Sequence, residues 1–346
     1  MTQQRSNKFK CVIWDLDNTL WDGVLLESTS VCVHSELVQV IKTLDQRGIL
    51  HSIASRNDYA SVEKKLTDLG LWEYFIYPEI SWNDKSKSIE NIAKKINISF
   101  DSIAFVDDQS FELDEVKSTH PTVSVFSPDQ ARQFVDNHEF IPRFITNESA
   151  QRRFYYQQDE KRNKEEAAHG GNIDFLKGLG LKLSINRLTE EDLKRAEELT
   201  IRTHQLNTTG VAYSYEELYN YMHSESHEVL SCSLEDKYGS YGTIGLTLFE
   251  KNTDHWMIHL LLVSCRVMSR NIVNTLLAFI YKMASNSNVF LRAKFVSNDV
   301  NRQMYITYKF SGFEEIISDG IMSLLELRSK RNLMIPDYIE IRSECL

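Results

Sequence analysis

Residues 10–21 read KCVIWDLDNTLW: four apolar residues, Cys11 to Trp14 in numbering, run straight into Asp15-Leu16-Asp17-Asn18-Thr19-Leu20. An apolar run without polar alternation marks a strand covered on both faces, as the inner strands of a parallel sheet are. Carboxylates directly after it stand at the strand's carboxyl end, where open α/β sheets hold their ligands. Further short apolar runs follow at 49–54, 74–77, 103–106 and 123–126. Between them lie helical periods: Leu37, Val40, Ile41 and Leu44; Val62, Leu66 and Leu69, stopped by Gly70; and Ile89, Ile92 and Ile96. Strand and helix in alternation predict a doubly wound parallel sheet of the α/β class.

The chain has 346 residues, 42% of them hydrophobic, which is enough for two cores. The first domain is expected over 1–140. A charged helical linker is expected over 141–178, because its stretch QRRFYYQQDEKRNKEEAAHGG is too polar for a core element and ends in a glycine pair. A second α/β domain is expected over 179–346, with a strand at 181–185, a helix at 190–202 and an antiparallel pair within 229–249. An alternating strand at 255–263 and a helix at 271–284 follow.

No stretch reaches the roughly 18 apolar residues of a membrane span, and the polar start MTQQRSNKFK lacks the apolar segment of a secretion signal, so a cytoplasmic protein without membrane contact is expected. The five cysteines are scattered, with neither a disulfide framework nor zinc-like spacing. A net charge of -10 speaks against a nucleic-acid partner.

The carboxylates after the first run call for chemistry. A carboxylate attacks phosphorus if a cation screens the repulsion between two anions, and a second carboxylate nearby can move a proton. The later runs supply the remaining groups. Ser55, in Ile53-Ala54-Ser55-Arg56-Asn57-Asp58, offers a hydroxyl ahead of a helix for a phosphate oxygen. Lys85 offers an ammonium for the transition state, and Asp107-Asp108 offer hard oxygen ligands suited to magnesium. Thr19, Arg56 and Asn57 are substrate-binding candidates. Only 40 positions separate Asp15 from Ser55, which leaves no room for an inserted cap domain.

This order of motifs resembles the haloacid dehalogenase superfamily of phosphotransferases. The resemblance implies that Asp15 is the nucleophile and Asp17 the general acid/base. It implies Ser55 and Lys85 as the phosphate-holding pair, and Mg²⁺ held by Asp15, the Asp17 carbonyl, Asp107 and Asp108.

The second half carries three polar clusters: residues 202–210, residues 264–271, and Asn301 with Tyr308 and Gly312-Phe313. A strand, a basic loop and a helix in succession are similar to acetyltransferases of the GNAT type. Here, however, Val267-Met268-Ser269-Arg270-Asn271 follow Arg266 where glycines would cradle a pyrophosphate, which leaves coenzyme A without its loop. With both halves in view the chain resembles the FkbH-like family. The residues that carry this are KCVIWDLDNTLW, Arg47-Gly48-Ile49-Leu50, residues 54–58, IAFVDDQ at 103–109, Arg202-Thr203 with Gln205 and Asn207, and Ser264-Cys265-Arg266-Val267.

That resemblance implies a glyceryltransferase and phosphatase of polyketide extender-unit pathways. Such an enzyme dephosphorylates 1,3-bisphosphoglycerate and passes the glyceryl group through an enzyme thioester to the phosphopantetheine thiol of an acyl carrier protein. Cys265 is the candidate thiol, because Arg266, Arg270 and a helix start lie beside it, whereas Cys11 reads as a packing group. His204 and His259 are candidate bases for it, and Arg266 a candidate substrate contact. An acidic carrier protein would dock on local cations, Arg266, Arg270, Arg292, Lys294 and Arg302. The competing reading is a capless magnesium-dependent phosphatase whose second half is a non-catalytic docking domain.

Overall fold

The computed structural model describes residues 8–27, 31–168, 173–329 and 333–345. The chain divides into two compact units, Met1–Glu160 and Lys161–Leu346.

In the first unit, β1 (Cys11–Trp14), β2 (Leu50–Ser55), β3 (Glu79–Ile80), β4 (Ile103–Val106) and β5 (Ser124–Phe126) form one sheet in the order β3-β2-β1-β4-β5, parallel throughout. Strand β1 is the centre, and all four of its side chains are buried. The helices α1 (Ser35–Gln46), α2 (Tyr59–Asp68), α3 (Lys85–Ile96) and α4 (Ser110–Thr119) cover both faces. Val12 and Trp14 pack with Leu37, Ile41, Val62 and Leu66 on one side. Cys11 and Ile13 pack with Ile89, Ile92, Ile96 and Val116 on the other. The sheet is therefore doubly wound, as its apolar runs predict.

One run behaves differently. Residues 74–77 form no strand: Trp72–Tyr74 is a 3₁₀ turn, Phe75 makes a single bridge to His51, and the edge strand comes later at Glu79–Ile80. Tyr77 has φ +49°, a left-handed conformation that interrupts an extended run. Between Asp15 and Ser55 the described residues hold a two-residue ladder, Trp21–Asp22 with Cys32–Val33, and α1.

The charged stretch forms α5 (Arg152–Ala168). Its polarity is less solvated than its composition suggests. Arg153 is buried and donates to Asp45 Oδ1 at 3.0 Å and to the Glu73 carbonyl at 2.8 Å. Arg162 is buried and gives two 2.9 Å hydrogen bonds to the Asp236 carboxylate. Paired guanidinium groups can enter a core where isolated ones cannot. The expected glycine pair, Gly170-Gly171, lies outside the described residues.

The second unit is a mixed sheet. It comprises α6 (Ile173–Leu179), β6 (Leu181–Arg187), α7 (Leu193–Arg202), α8 (Tyr215–Met222), β7 (His227–Asp236), β8 (Gly239–Lys251) and β9 (His255–Val263). There follow α9 (Ile272–Asn286), β10 (Phe290–Val296), α10 (Arg302–Phe310), β11 (Phe313–Ser318), β12 (Met322–Leu327) and β13 (Ile339–Arg342). The strand order is β11-β12-β10-β9-β8-β7-β6-β13. One face packs on α9 through Leu276, Phe279 and Ile280, the other on α7 and α8 through Leu193, Leu199 and Leu218.

Strands β9 and β10 are parallel and pair only from His255–Ile258 to Phe290–Ala293 before they part. Residues 206–208 fill the fork. The Leu206 carbonyl accepts from Val263 N at 2.9 Å, Thr208 N donates to the Leu261 carbonyl at 3.1 Å, and the Thr208 carbonyl accepts from Val296 N at 2.9 Å. Asn301 Nδ2 adds a bond to the Asn207 carbonyl at 3.1 Å. Among the described residues no helix is long and apolar enough to cross a membrane.

Candidate active site

Parallel pairing of β2, β1 and β4 brings their carboxyl ends together, and with them Ser55, Asp15 and Asp107. All three are buried. The Asp15 amide donates to the Val106 carbonyl at 2.9 Å, which ties the two strand ends to each other.

Lys85, the first residue of α3, reaches back into this cluster with only 4% of its surface exposed. Its ammonium donates to Asp15 Oδ1 and, at 2.8 Å, to the Ala54 carbonyl, and it stands 3.2 Å from Asp107 Oδ2. Burial works against the ammonium, but the charges of Asp15 and Asp107 outweigh it and hold the Lys85 pKa above its ordinary value.

The acids show the complementary effect. Burial first, and then the charge of Asp15, push Asp107 up to about 7 although Lys85 opposes the shift. Asp108 is raised by burial and by Asp15 in the same way. One ammonium thus faces three carboxylates, so the cluster is short of positive charge. Asp15, Asp107 and Asp108 each offer an oxygen, all within 4.8 Å of one another. Hard oxygen donors gathered this way can hold a divalent cation of the magnesium type.

Thr19 is the brace of this group: Asp108 N donates to its hydroxyl at 3.0 Å, and the hydroxyl lies 3.2 Å from Asp108 Oδ1. Asp17 turns its carboxylate elsewhere. Its Oδ1 accepts from Trp21 Nε1 at 2.8 Å and from Leu25 N at 3.1 Å, and its Oδ2 from Asn57 Nδ2 at 2.9 Å. Burial raises its pKa, with Asp15 adding to the shift while the Trp21 and Leu25 bonds oppose it. An acid held to one side of Asp15, with its proton affinity raised, suits proton transfer.

Ser55 ends β2, but the cap of α2 is Asp58, whose carboxylate accepts from Ser61 N at 2.9 Å. That leaves the Ser55 hydroxyl outside the helix's own end. Arg56 is already engaged: Nη2 pairs with Asp84 at 3.2 Å and Nη1 with Glu112 at 3.0 Å, and Glu112 is buried. The partners Trp21, Leu25, Ala54 and Glu112 escape a sequence reading because their roles rest on spatial neighbours. Trp21 and Ala54 carry a signal only as members of stretches singled out above, KCVIWDLDNTLW and residues 54–58.

In the second unit, Cys265 opens a 3₁₀ segment, Cys265–Arg270, just beyond β9, and is half-buried. Arg266 donates to the Tyr241 carbonyl at 2.7 Å, and Arg270 is buried against Glu166 at 2.8 Å. His204 is exposed. Cys11 lies inside β1, fully buried in apolar packing.

No protein-family model matches the chain. It is 27% identical over 126 residues to human magnesium-dependent phosphatase 1, which covers 31% of this chain and 72% of that protein. Among solved structures it is similar to the N-terminal part of a Bacteroides fragilis protein containing a phosphatase domain, complexed with Mg. The identity there is 27%, over 38% of this chain and 41% of that one, with a TM-score of 0.35. It is also similar to the PaiA N-acetyltransferase of Thermoplasma acidophilum in complex with coenzyme A, with 17% identity over 42% of this chain and 99% of that one, and a TM-score of 0.35.

Proposed function

We propose that the first unit is a magnesium-dependent phosphotransferase in which Asp15 takes the phosphoryl group. The observation that carries this reading is the buried Lys85 ammonium joined to Asp15 and facing Asp107. In the first step an Asp15 oxygen attacks phosphorus, the ester P–O bond breaks, and the leaving oxygen takes a proton from Asp17. In the second, Asp17 accepts a proton from water, which attacks the aspartyl-phosphate and frees inorganic phosphate with Asp15 restored. Lys85 balances charge on the phosphoryl oxygens, and the Ser55 hydroxyl donates to one of them. A magnesium ion, which the charge deficit of Asp15, Asp107 and Asp108 fits, would screen attack by one anion on another; the Asp17 carbonyl completes the ligands that the superfamily resemblance implies.

The finer reading follows the FkbH-like resemblance. The substrate is 1,3-bisphosphoglycerate, whose acyl phosphate a thiolate displaces and whose phosphomonoester Asp15 removes. Cys265 holds the glyceryl group as a thioester until the phosphopantetheine thiol of an acyl carrier protein takes it. A half-buried thiol at the mouth of the β9 loop supports the assignment. Of the cations suggested for docking, Arg270 is buried and Arg292 pairs with Glu326 at 2.8 Å, while Arg302 is exposed at the start of α10.

Intact-protein mass spectrometry after incubation with 1,3-bisphosphoglycerate and Mg²⁺ tests this. A glyceryl adduct is expected on the wild type, absent in Cys265→Ala, with hydrolysis of the phosphomonoester at the Asp15 site intact in that variant. Asp15→Asn is expected to cut phosphate release by at least about 10³-fold. Carrier loading by Cys265→Ala without any adduct removes the thioester role. A second reading, a phosphatase with a non-catalytic second half, is favoured by one observation: the fork between β9 and β10 is closed by residues 206–208.

A further inference from the structure

In the second unit, three side chains suited to binding a metal meet on one face of the sheet, on adjacent strands. His227 begins β7, Glu250 sits near the end of β8, and His259 lies within β9. Glu250 pairs directly opposite His227 in the β7–β8 ladder. His259 arrives by a different route. The β8–β9 register runs from Leu248 opposite Leu260 to Phe249 opposite Ile258, which leaves His259 as the extra residue of a β-bulge. Ile258 and Leu261 both pack in the core beneath α9, whereas Leu260 packs beneath α7 and α8. The two residues between Ile258 and Leu261 therefore share the α7/α8 face. His259 alternates out of the α9 core after Ile258, onto the face that carries Glu250 and His227, and the bulge keeps Leu260 on that same face before the alternation resumes.

Each of the three offers one donor atom, and these atoms lie within 4.8 Å of one another. His259 Nε2 stands 3.0 Å from Glu250 Oε2. Hydrogen bonds also fix the His227 ring: its Nδ1 meets the hydroxyls of Ser224 at 2.9 Å and Ser226 at 3.0 Å, with the Tyr221 ring 4.9 Å away. Holding one imidazole nitrogen by a hydroxyl leaves the other as the donor and sets its direction, which is how metal-binding histidines are usually supported. All three side chains are half-buried, open to an entering ion.

We infer that His227, Glu250 and His259 form a three-ligand site for a first-row transition-metal dication of the zinc type. Two imidazoles and one carboxylate suit zinc, cobalt or nickel, whereas magnesium prefers an all-oxygen set. The donor set is thus chemically orthogonal to the carboxylate cluster around Asp15. With three protein ligands, a tetrahedral ion keeps one position for water or a small anion.

Full-length protein in excess Mg²⁺, which saturates the oxygen donors, is titrated with Co²⁺ while visible d–d absorption is followed, then with competing Zn²⁺. One equivalent of Co²⁺ is expected to develop d–d bands that one equivalent of Zn²⁺ abolishes. Glu250→Gln is expected to weaken binding at least about tenfold, and His227→Gln with His259→Gln to remove it. In wild-type protein, imidazole ¹⁵N resonances of two of the ten histidines should shift with Zn²⁺. That readout needs no folded variant. Absence of d–d bands in the wild type, histidine resonances that stay in place, or unchanged binding in a folded double variant each overturns the site.

Discussion

Asn57 Nδ2 donates to Asp17 Oδ2 at 2.9 Å, a bond that spans 40 positions and joins the carboxyl ends of β1 and β2. The amide cannot turn over, because Asn57 Oδ1 accepts from Asp58 N at 3.0 Å and so directs the NH₂ group at the acid. Asn57→Ala frees one Asp17 oxygen from its donor. Turnover of a small phosphomonoester is expected to fall about tenfold with KM little changed, because the acid is misaimed and not lost. Asn57→Asp, which replaces a donor by a second carboxylate, should be worse than Asn57→Ala; steady-state kinetics on both variants decides the point.

Metal linkage separates the carboxylate cluster from an ordinary ion-pair network. At a Mg²⁺ concentration 100 times the dissociation constant, the first unit should gain about 2.7 kcal/mol over metal-free protein. Asp107→Asn removes one of the three gathered carboxylates, and the gain should shrink below about 1 kcal/mol at the same concentration. Urea denaturation with and without EDTA reads the difference. An equal gain in wild type and variant would place the ion elsewhere.

Acid should weaken the first unit through His51. This residue is fully buried, accepts from Trp14 Nε1 at 3.0 Å through Nδ1, and uses Nε2 against the Ile41 carbonyl at 3.0 Å. Trp14 can only donate and a carbonyl can only accept, so the neutral tautomer with hydrogen on Nε2 is required. Burial pushes its pKa down to about 3. The unfolded chain binds a proton below about 6.5 where the folded chain does not, so the contribution is full above that pH and is lost as pH falls toward 3. Near pH 5 the loss should be about 2 kcal/mol. His51→Gln should flatten this part of the stability-pH profile measured by denaturant melts.

Arg153→Ala leaves Asp45 buried without its guanidinium partner. Burial already raises the Asp45 pKa against the pull of Arg153. Breaking a buried pair from one side costs about 3 kcal/mol or more, so the first unit's denaturation midpoint should drop accordingly. A loss under about 1 kcal/mol would show that α5 is held by other contacts.

Legibility in the sequence followed the kind of information each element needs. Strands β1, β4 and β9 keep the limits that their apolar runs suggest, since continuous burial is written into composition. The run at 74–77 is equally apolar and buried in part, yet it forms a turn, because the left-handed backbone of Tyr77 has no compositional trace. At the site, Asp15, Lys85, Asp107 and Asp108 were readable because each follows a strand or opens a helix. The Trp21, Leu25 and Asn57 bonds that aim Asp17, and the Glu112 that occupies Arg56, depend on packing across elements. The charged stretch that forms α5 shows the same limit: averaged polarity hides the acids, Asp45 and Asp236, that admit Arg153 and Arg162 to the interior.

The innermost position of β1 has a consequence for how the site fails. Its amides and carbonyls are locked between β2 and β4, and the Asp15 amide is held by Val106. Segments that open locally, such as edge strands and loop ends, can exchange their amide hydrogens while Asp15 stays in place. Deuterium should therefore reach the Asp15 backbone only through opening of the whole sheet, so the carboxylate proposed to attack phosphorus shares the lifetime of the fold itself.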